Sequence, residues 1–118
     1  MTDALPTTAF KILSRADWRA TLAEGAYDGS AVDHADGYIH LSAADQLVVT
    51  AAKHYAGQSD LMLVEVDLTA LGEALIWEPS RGGALFPHIY GPLPVAATRS
   101  VRALSVTDTG DMILSENP

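Results

Sequence analysis

Apolar and polar positions alternate or recur along this chain in a way that assigns most of its elements. Phe10–Leu13 is a short apolar run and predicts a first strand. Ser14 follows as a helix N-cap with Asp17 three residues on, a short-acid form of the capping box. The helix runs from about Arg15 to Glu24, with Trp18 and Leu22 one turn apart and Gly25 placed to end it. Residues 26–37 carry two Asp-Gly pairs and few large apolar side chains, and read as turns. Tyr38–Ser42 is the next strand. Ser42 then caps a second helix, on which Leu47, Val48, Ala51, Ala52 and Tyr55 share a face; Gly57 ends it.

The second half is strand-rich. Leu61–Asp67 (LMLVEVD) is apolar on both faces at its start, as a central strand should be. A turn at Leu68–Gly72 leads to a strand at Leu75–Glu78. Pro79–Pro94 holds four prolines and three glycines, and the expectation is an irregular loop. Val95–Val106 reads as a long strand, Thr107–Asp111 as a turn and Met112–Leu114 as a terminal hairpin strand. The order is β-α-β-α-β-β-loop-β-β: an α+β domain with two early helices and a mostly antiparallel sheet. The whole chain, 1–118, reads as one domain, its core spanning about 9–115 between short loose tails.

Composition narrows the class. The chain is 48% hydrophobic, a normal globular value, and has no stretch near the roughly 20 apolar residues of a membrane helix. Its start, MTDALPTTAF, lacks the basic and apolar regions of a signal peptide. With no cysteine there is no disulfide and no thiolate chemistry. A soluble, cytoplasmic protein is expected. Fifteen acidic against seven basic residues give a net charge of −8, which repels a phosphate polymer and argues against general nucleic-acid binding. A small anionic or nucleotide ligand remains compatible, because a local arginine can act inside an acidic protein.

Two segments carry candidate chemistry. In Asp36-Gly37-Tyr38-Ile39-His40-Leu41-Ser42, strand alternation turns Ile39 and Leu41 into a core and brings Tyr38, His40 and Ser42 to the other face. A helix start follows at once, offering partly positive N–H groups to an anion. The competing reading is the solvent face of a sheet with an ordinary cap. The second segment runs from Trp77 to Leu93 and is too aromatic to be disordered. Arg81, followed by Gly82 and Gly83, suits bidentate recognition of phosphate or carboxylate with close backbone approach. Its alternative is an ion pair with Glu78. His88 and Tyr90, two apart, share a face; otherwise the imidazole bonds backbone in a loop packed on the core. Asp33 and Asp36 fall short of a cation loop, and His34 and His54 read as surface residues. No HExxH, GxSxG, Walker or GxGxxG pattern occurs, and no metal site is assigned.

These strings resemble a known family. FKILSRADW, DGYIHLSAADQL with TAAKHYAG, LVEVDL and WEPSRGGALFPHIYGPL are similar to the bacterial domain-of-unknown-function family 952, over roughly residues 9–104. The resemblance implies a distant likeness to the ADP-ribosyltransferase fold, a split antiparallel sheet around a nicotinamide-dinucleotide cleft. It implies NAD as a ligand, with His40 and Ser42 seating a ribose, Tyr38 stacking on a ring, and Arg81 and His88 reading phosphate or ribose. One departure stands out: the late strand ATRSVRALSV lacks the glutamate such enzymes use, and Glu78 is the nearest carboxylate to replace it. Three functions follow: a nucleotide-acting enzyme, in which His40, Ser42, Arg81 and His88 converge in one cleft with Glu78 as the nearby carboxylate and Tyr38, Gly82, Gly83 and Tyr90 as further ligand-binding residues; a non-catalytic module in which the same cleft binds a small anionic or nucleotide-like ligand; or a partner surface at Leu85–Tyr90.

Overall fold

The computed structural model describes residues 5–80 and 83–115. Its largest sheet has four antiparallel strands: β1 (Thr8–Ser14), β4 (Leu61–Asp67), β8 (Thr98–Val106) and β9 (Met112–Ser115), adjacent in that order. A register shift between Glu65 and Val66 marks a bulge in the β4–β8 ladder. A second sheet holds β3 (Ile39–His40), β6 (Ala84–Ile89) and β5 (Leu75–Ser80), with β6 central. Two short strands, β2 (Ala26–Tyr27) and β7 (Leu93–Pro94), form a third ribbon. The helices are α1 (Arg15–Glu24), α2 (Ala31–Asp36) and α3 (Ala44–His54).

Strand β4 explains why there are two cores. Successive side chains of a strand face opposite sides. Met62, Val64 and Val66 join Trp18, Tyr27, Ile39, Leu41, Ile89 and Leu93 on one face; Leu61 and Leu63 join Ile12, Leu47, Ala51, Leu104 and Val106 on the other. The first core lies between the two main sheets, and the second lies under α3. Strand β1 divides the same way, and this puts Lys11 on the side of Ala9 and Leu13, facing the first core.

The first helix forms as its sequence demands. The Ser14 side chain accepts from the Asp17 N–H, and Gly25 closes the helix in the left-handed region at φ 85°. Strand Leu61–Asp67 and the terminal hairpin also stand where they are expected.

Other expectations are corrected. Three helices replace two: within the segment read as turns, Ser30 and Asp33 close a reciprocal capping box and Gly37 ends α2 at φ 90°. The Asp-Gly pairs flank this helix instead of replacing it. On α1 the buried partner of Trp18 is Thr21, whose hydroxyl donates to the Asp17 carbonyl, while Leu22 is exposed. On α3 only Leu47 and Ala51 are buried; Val48 and Ala52 are exposed, and the helix ends at His54, before Gly57. Its N-cap is Ala43, not Ser42, with the Gln46 side chain accepting from the Ala43 N–H. The strand read as Tyr38–Ser42 is regular only at Ile39–His40, and Ser42 makes a separate antiparallel bridge to Phe10. Val95–Ala97 is a 3₁₀ turn before β8.

The largest correction concerns Pro79–Pro94. Most of it is the β5–β6 hairpin, paired from Leu75↔Ile89 to Ser80↔Ala84. Pro79 lies on edge strand β5, where a missing donor is tolerated. Pro87 lies on the central strand, but its carbonyl accepts from the Leu41 N–H, just beyond the end of β3. In an antiparallel ladder a residue's N–H and C=O face the same neighbour. The absent N–H therefore points where regular β3 pairing has stopped.

Candidate functional site

The segment Ile39–Ser42 joins the two main sheets. Ile39 and His40 pair with Ile89 and His88 on β6; Ser42 then exchanges backbone hydrogen bonds of 2.8 and 2.9 Å with Phe10 on β1. Ile39 and Leu41 are buried, as the alternation requires, so Tyr38 and His40 share the opposite side. The direct pairing of His40 with His88 brings both imidazoles together, with centroids 5.5 Å apart. The Tyr38 ring stacks on His88 at 4.1 Å and 25°, and lies 4.8 Å from His40 and 5.2 Å from Tyr90.

Each imidazole is held by carboxylates. His40 Nδ1 lies 2.6 Å from Asp33 Oδ1, and Nε2 lies 2.8 Å from Asp36 Oδ2. His88 Nδ1 lies 2.7 Å from Glu78 Oε1, which also accepts from the Tyr90 hydroxyl at 2.7 Å. His88 is thus bonded to a carboxylate and not to backbone, while the His40 side chain, 28% exposed, is engaged at both ring nitrogens. Glu78 is held below its ordinary value, chiefly by the His88 contact and then by Tyr90. The same bond pushes the Tyr90 hydroxyl up to about 12.

Beneath His40 is a buried ion pair. Lys11 Nζ lies 3.0 Å from Asp33 Oδ2 and donates to the His40 carbonyl at 2.9 Å. Lys11 is 7% exposed and Asp33 2%. Burial lowers the Lys11 ammonium, and Asp33 offsets only part of that. For Asp33, burial works against ionisation, but Lys11, the His40 ring and the Ser30 N–H outweigh it and hold the carboxyl below its ordinary value. Asp33 is thus the anchor of His40, not one of a pair of cation ligands. Among the described residues no His, Cys, Asp and Glu side chains are grouped to hold a metal ion.

A cavity of about 340 Å³ opens beside this network, within the range of small-molecule sites. Its polar wall includes Lys11, Asp33, Asp36, Tyr38, His40 and Ser42; its apolar wall includes Phe10, Ile12, Leu47 and Tyr55. Ser42 is buried and bonded to the Thr50 hydroxyl at 2.8 Å. His88, Glu78 and Tyr90 are not among the cavity's lining. His88 is 3% exposed beneath the Tyr38 ring, so this second dyad supports Tyr38 from behind. Gly83 sits at φ 98° at the exposed turn of the β5–β6 hairpin. Arg81 and Gly82 lie outside the described residues. Ser80, the last residue of β5, lines the cavity.

Lys11 is the site residue that sequence reasoning passed over, and Asp33 and Asp36 were weighed only as cation ligands, not as partners of His40. One signal was present for Lys11: in AFKIL it takes the strand face of Ala9 and Leu13, an inward position that a lysine occupies only with a partner.

The fold and this site define an α+β protein with a histidine–carboxylate network beside a cavity lined by β1, α2, β3 and α3. The chain matches the family described as "Protein of unknown function (DUF952)" over residues 12–101, and belongs to that family. It is similar to protein CC0527 from Caulobacter crescentus, whose crystal structure is 50% identical in sequence with a TM-score of 0.86, covering 91% of this chain and 94% of that one. The solution NMR structure of CC0527 gives 51% identity and a TM-score of 0.78, over 89% and 90% of the two chains. No curated protein matches. These similarities carry the family and its α+β fold; they do not carry the ADP-ribosyltransferase likeness. Among the described residues no helix is long and apolar enough to cross a membrane.

Proposed function

We propose that the cavity is a small-molecule active site for a ring-bearing ligand of the nucleotide kind, with His40 as its proton-transfer group. The observation that carries this reading is the His40–Asp33 dyad in the cavity wall. A buried carboxylate on Nδ1 sets the ring's orientation and leaves Nε2 as the outward nitrogen, the arrangement a general acid or base needs. Tyr38 supplies an aromatic face beside it, and Phe10, Ile12 and Leu47 an apolar floor.

Ribosyl transfer from NAD is the finer form of this reading. Such chemistry needs a carboxylate near the developing positive charge. Glu78 is ionised and close to the ring cluster, but Tyr38 stands between His88 and the cavity. Glu65 on β4 accepts from Ser100, and Asp111 serves the terminal turn. Ring binding with proton transfer at His40 therefore has more support than ribosyl transfer.

A non-catalytic binding module is the second reading, and the Asp36 contact at His40 Nε2 favours it, since that nitrogen is already engaged. A partner surface at Leu85–Tyr90 has least support, because Phe86, Pro87, His88 and Ile89 are buried.

A thermal-shift series with NAD, ADP-ribose and nucleoside monophosphates tests the site. A ligand at about 100 times its Kd adds roughly 2.7 kcal/mol, several degrees in a domain of this size. The expected outcome is a rise that His40→Ala abolishes, with chromatography of the mixture separating enzyme from binder. A rise that survives His40→Ala removes His40 from the site.

A further inference from the structure

We propose that Asp36 is an internal occupant of this site: its carboxylate holds the outward nitrogen of His40, and the ligand displaces it with an anionic oxygen of its own. This rests on the reading that the cavity beside His40 binds a small molecule.

The two carboxylates on His40 differ in kind. Asp33 is buried, and its oxygens meet Lys11 Nζ, the Ser30 N–H, the His40 N–H and His40 Nδ1. It cannot leave without stranding a buried ammonium. The Asp36 side chain is 47% exposed. It is the last residue of a six-residue helix, and Gly37 follows in the left-handed region. One side-chain rotation returns its carboxylate to water. Solvation there replaces most of what the single bond to His40 supplied, as for exposed ion pairs generally.

With Asp36 turned away, His40 Nε2 faces a cavity wall where the Asp33 charge is already spent on Lys11. A phosphate or carboxylate oxygen of the ligand then takes the position of Asp36 Oδ2, and its ring lies along Tyr38 and the apolar floor. A cationic ligand would leave Asp36 in place and meet Lys11 and His40. An anion meets the opposite situation, provided that Asp36 gives way. On a chain of net charge −8, an acidic residue that must be displaced also rejects weakly bound anions that lack a ring to stay in the cavity.

The test is calorimetric titration of adenosine, AMP and inorganic phosphate into wild type, Asp36→Ala, Asp28→Ala and the double variant Asp36→Ala/His40→Ala, at about 0.15 M salt. Asp28 is an exposed acid in the turn before α2, and its removal changes the net charge equally. Asp36→Ala is expected to tighten AMP about threefold, the scale of an exposed ion pair that no longer competes, and to leave adenosine unchanged. Asp28→Ala should behave as wild type, and the double variant should lose the gain. Unchanged or weaker AMP binding in Asp36→Ala overturns the proposal, as does an equal gain in Asp28→Ala. If adenosine binds in a His40-dependent way and AMP and phosphate do not bind even Asp36→Ala, the anionic ligand is wrong and the ring pocket stands. If none of the three binds any variant at millimolar concentration, both the proposal and the small-molecule reading fall.

Discussion

The four-stranded sheet and the three-stranded sheet meet at β1 and Ile39–Ser42, yet they bury different chemistry. On β4, Leu61, Met62, Leu63, Val64 and Val66 are all buried, and each face simply fills an apolar core. The three-stranded sheet also contributes Ile39 and Ile89 to the core. It carries His88, His40 and Glu78 as well, and Lys11 reaches it from β1 of the first sheet, pairing with Asp33 of α2 and donating to the His40 carbonyl. Apolar burial is non-directional and tolerates many side chains of similar volume. A buried pair such as Lys11–Asp33 is directional and costs much more when half of it is removed than it contributes when whole. The first sheet is held mainly by area, and its junction with the second, where Lys11 of β1 meets Asp33 and the His40 carbonyl, by specific partners. That junction lies beside the cavity, and the geometric precision of the molecule is placed there.

The largest effect that can break this contrast is Asp33→Ala. It leaves the Lys11 ammonium buried without its carboxylate and frees His40 Nδ1. The expected loss is about 3–5 kcal/mol in urea unfolding, the range for stranding a buried charge. Replacing both partners, as Lys11→Met/Asp33→Leu, should cost clearly less than Asp33→Ala alone. A loss below about 1 kcal/mol for the single variant would show that Lys11 reaches water and that the junction of the two sheets is not held by the pair.

Met62→Ala is the matching variant in the first core. Met62 is 1% exposed on central strand β4, and about 2–5 kcal/mol is expected from lost transfer energy and the cavity left behind. The two variants separate by pH. The folded-state carboxyl of Asp33 titrates below the ordinary aspartate value of 3.8. Its contribution is therefore complete above that value and is lost as pH falls through the depressed one. The difference between wild type and Met62→Ala should be the same at pH 7 and pH 3.5. The difference between wild type and Asp33→Ala should shrink at the lower pH. Unfolding curves at both pH values check this, and equal shrinkage in both would erase the contrast.

The contrast also governs what could be read from the chain alone. Helix α1 was legible because Ser14, Asp17 and Gly25 act within a turn of one another, and β4 because LMLVEVD is apolar on both faces. Helix α2 was not, because Ser30 and Asp33 are masked by flanking Asp-Gly pairs that read as turns. The β5–β6 hairpin was hidden by its prolines: that Pro87 can sit on a central strand depends on where β3 ends, a fact of the other strand. In the site, strand alternation alone brought Tyr38 and His40 to one side, and the same logic paired His88 with Tyr90. That the two sets meet follows from the His40↔His88 register, which no local pattern encodes. Lys11 and Asp33 are 22 residues apart and belong to different elements, so only the inward position of Lys11 hinted at a partner.

The smallest predicted effect tests whether the second dyad is a support for Tyr38 or a group that reacts. Tyr90→Phe removes one hydroxyl from an exposed ring and leaves the His88–Glu78 contact of 2.7 Å in place. Glu78 is lowered first by His88 and second by Tyr90. Its titration, followed by carbonyl NMR shifts, should therefore move up toward the ordinary glutamate value and stop short of it. Because the Tyr38 ring rests on His88 and not on the lost hydroxyl, ring contacts at Tyr38 and ligand binding in the cavity should be preserved. If ligand binding falls while the Glu78 shift is small, then Tyr90 touches the ligand itself, and the site extends past Tyr38 onto the outer face of β6. If Glu78 returns fully to its ordinary value, His88 does not hold it in solution, and Tyr38 loses the rigid platform that the second sheet is argued to provide.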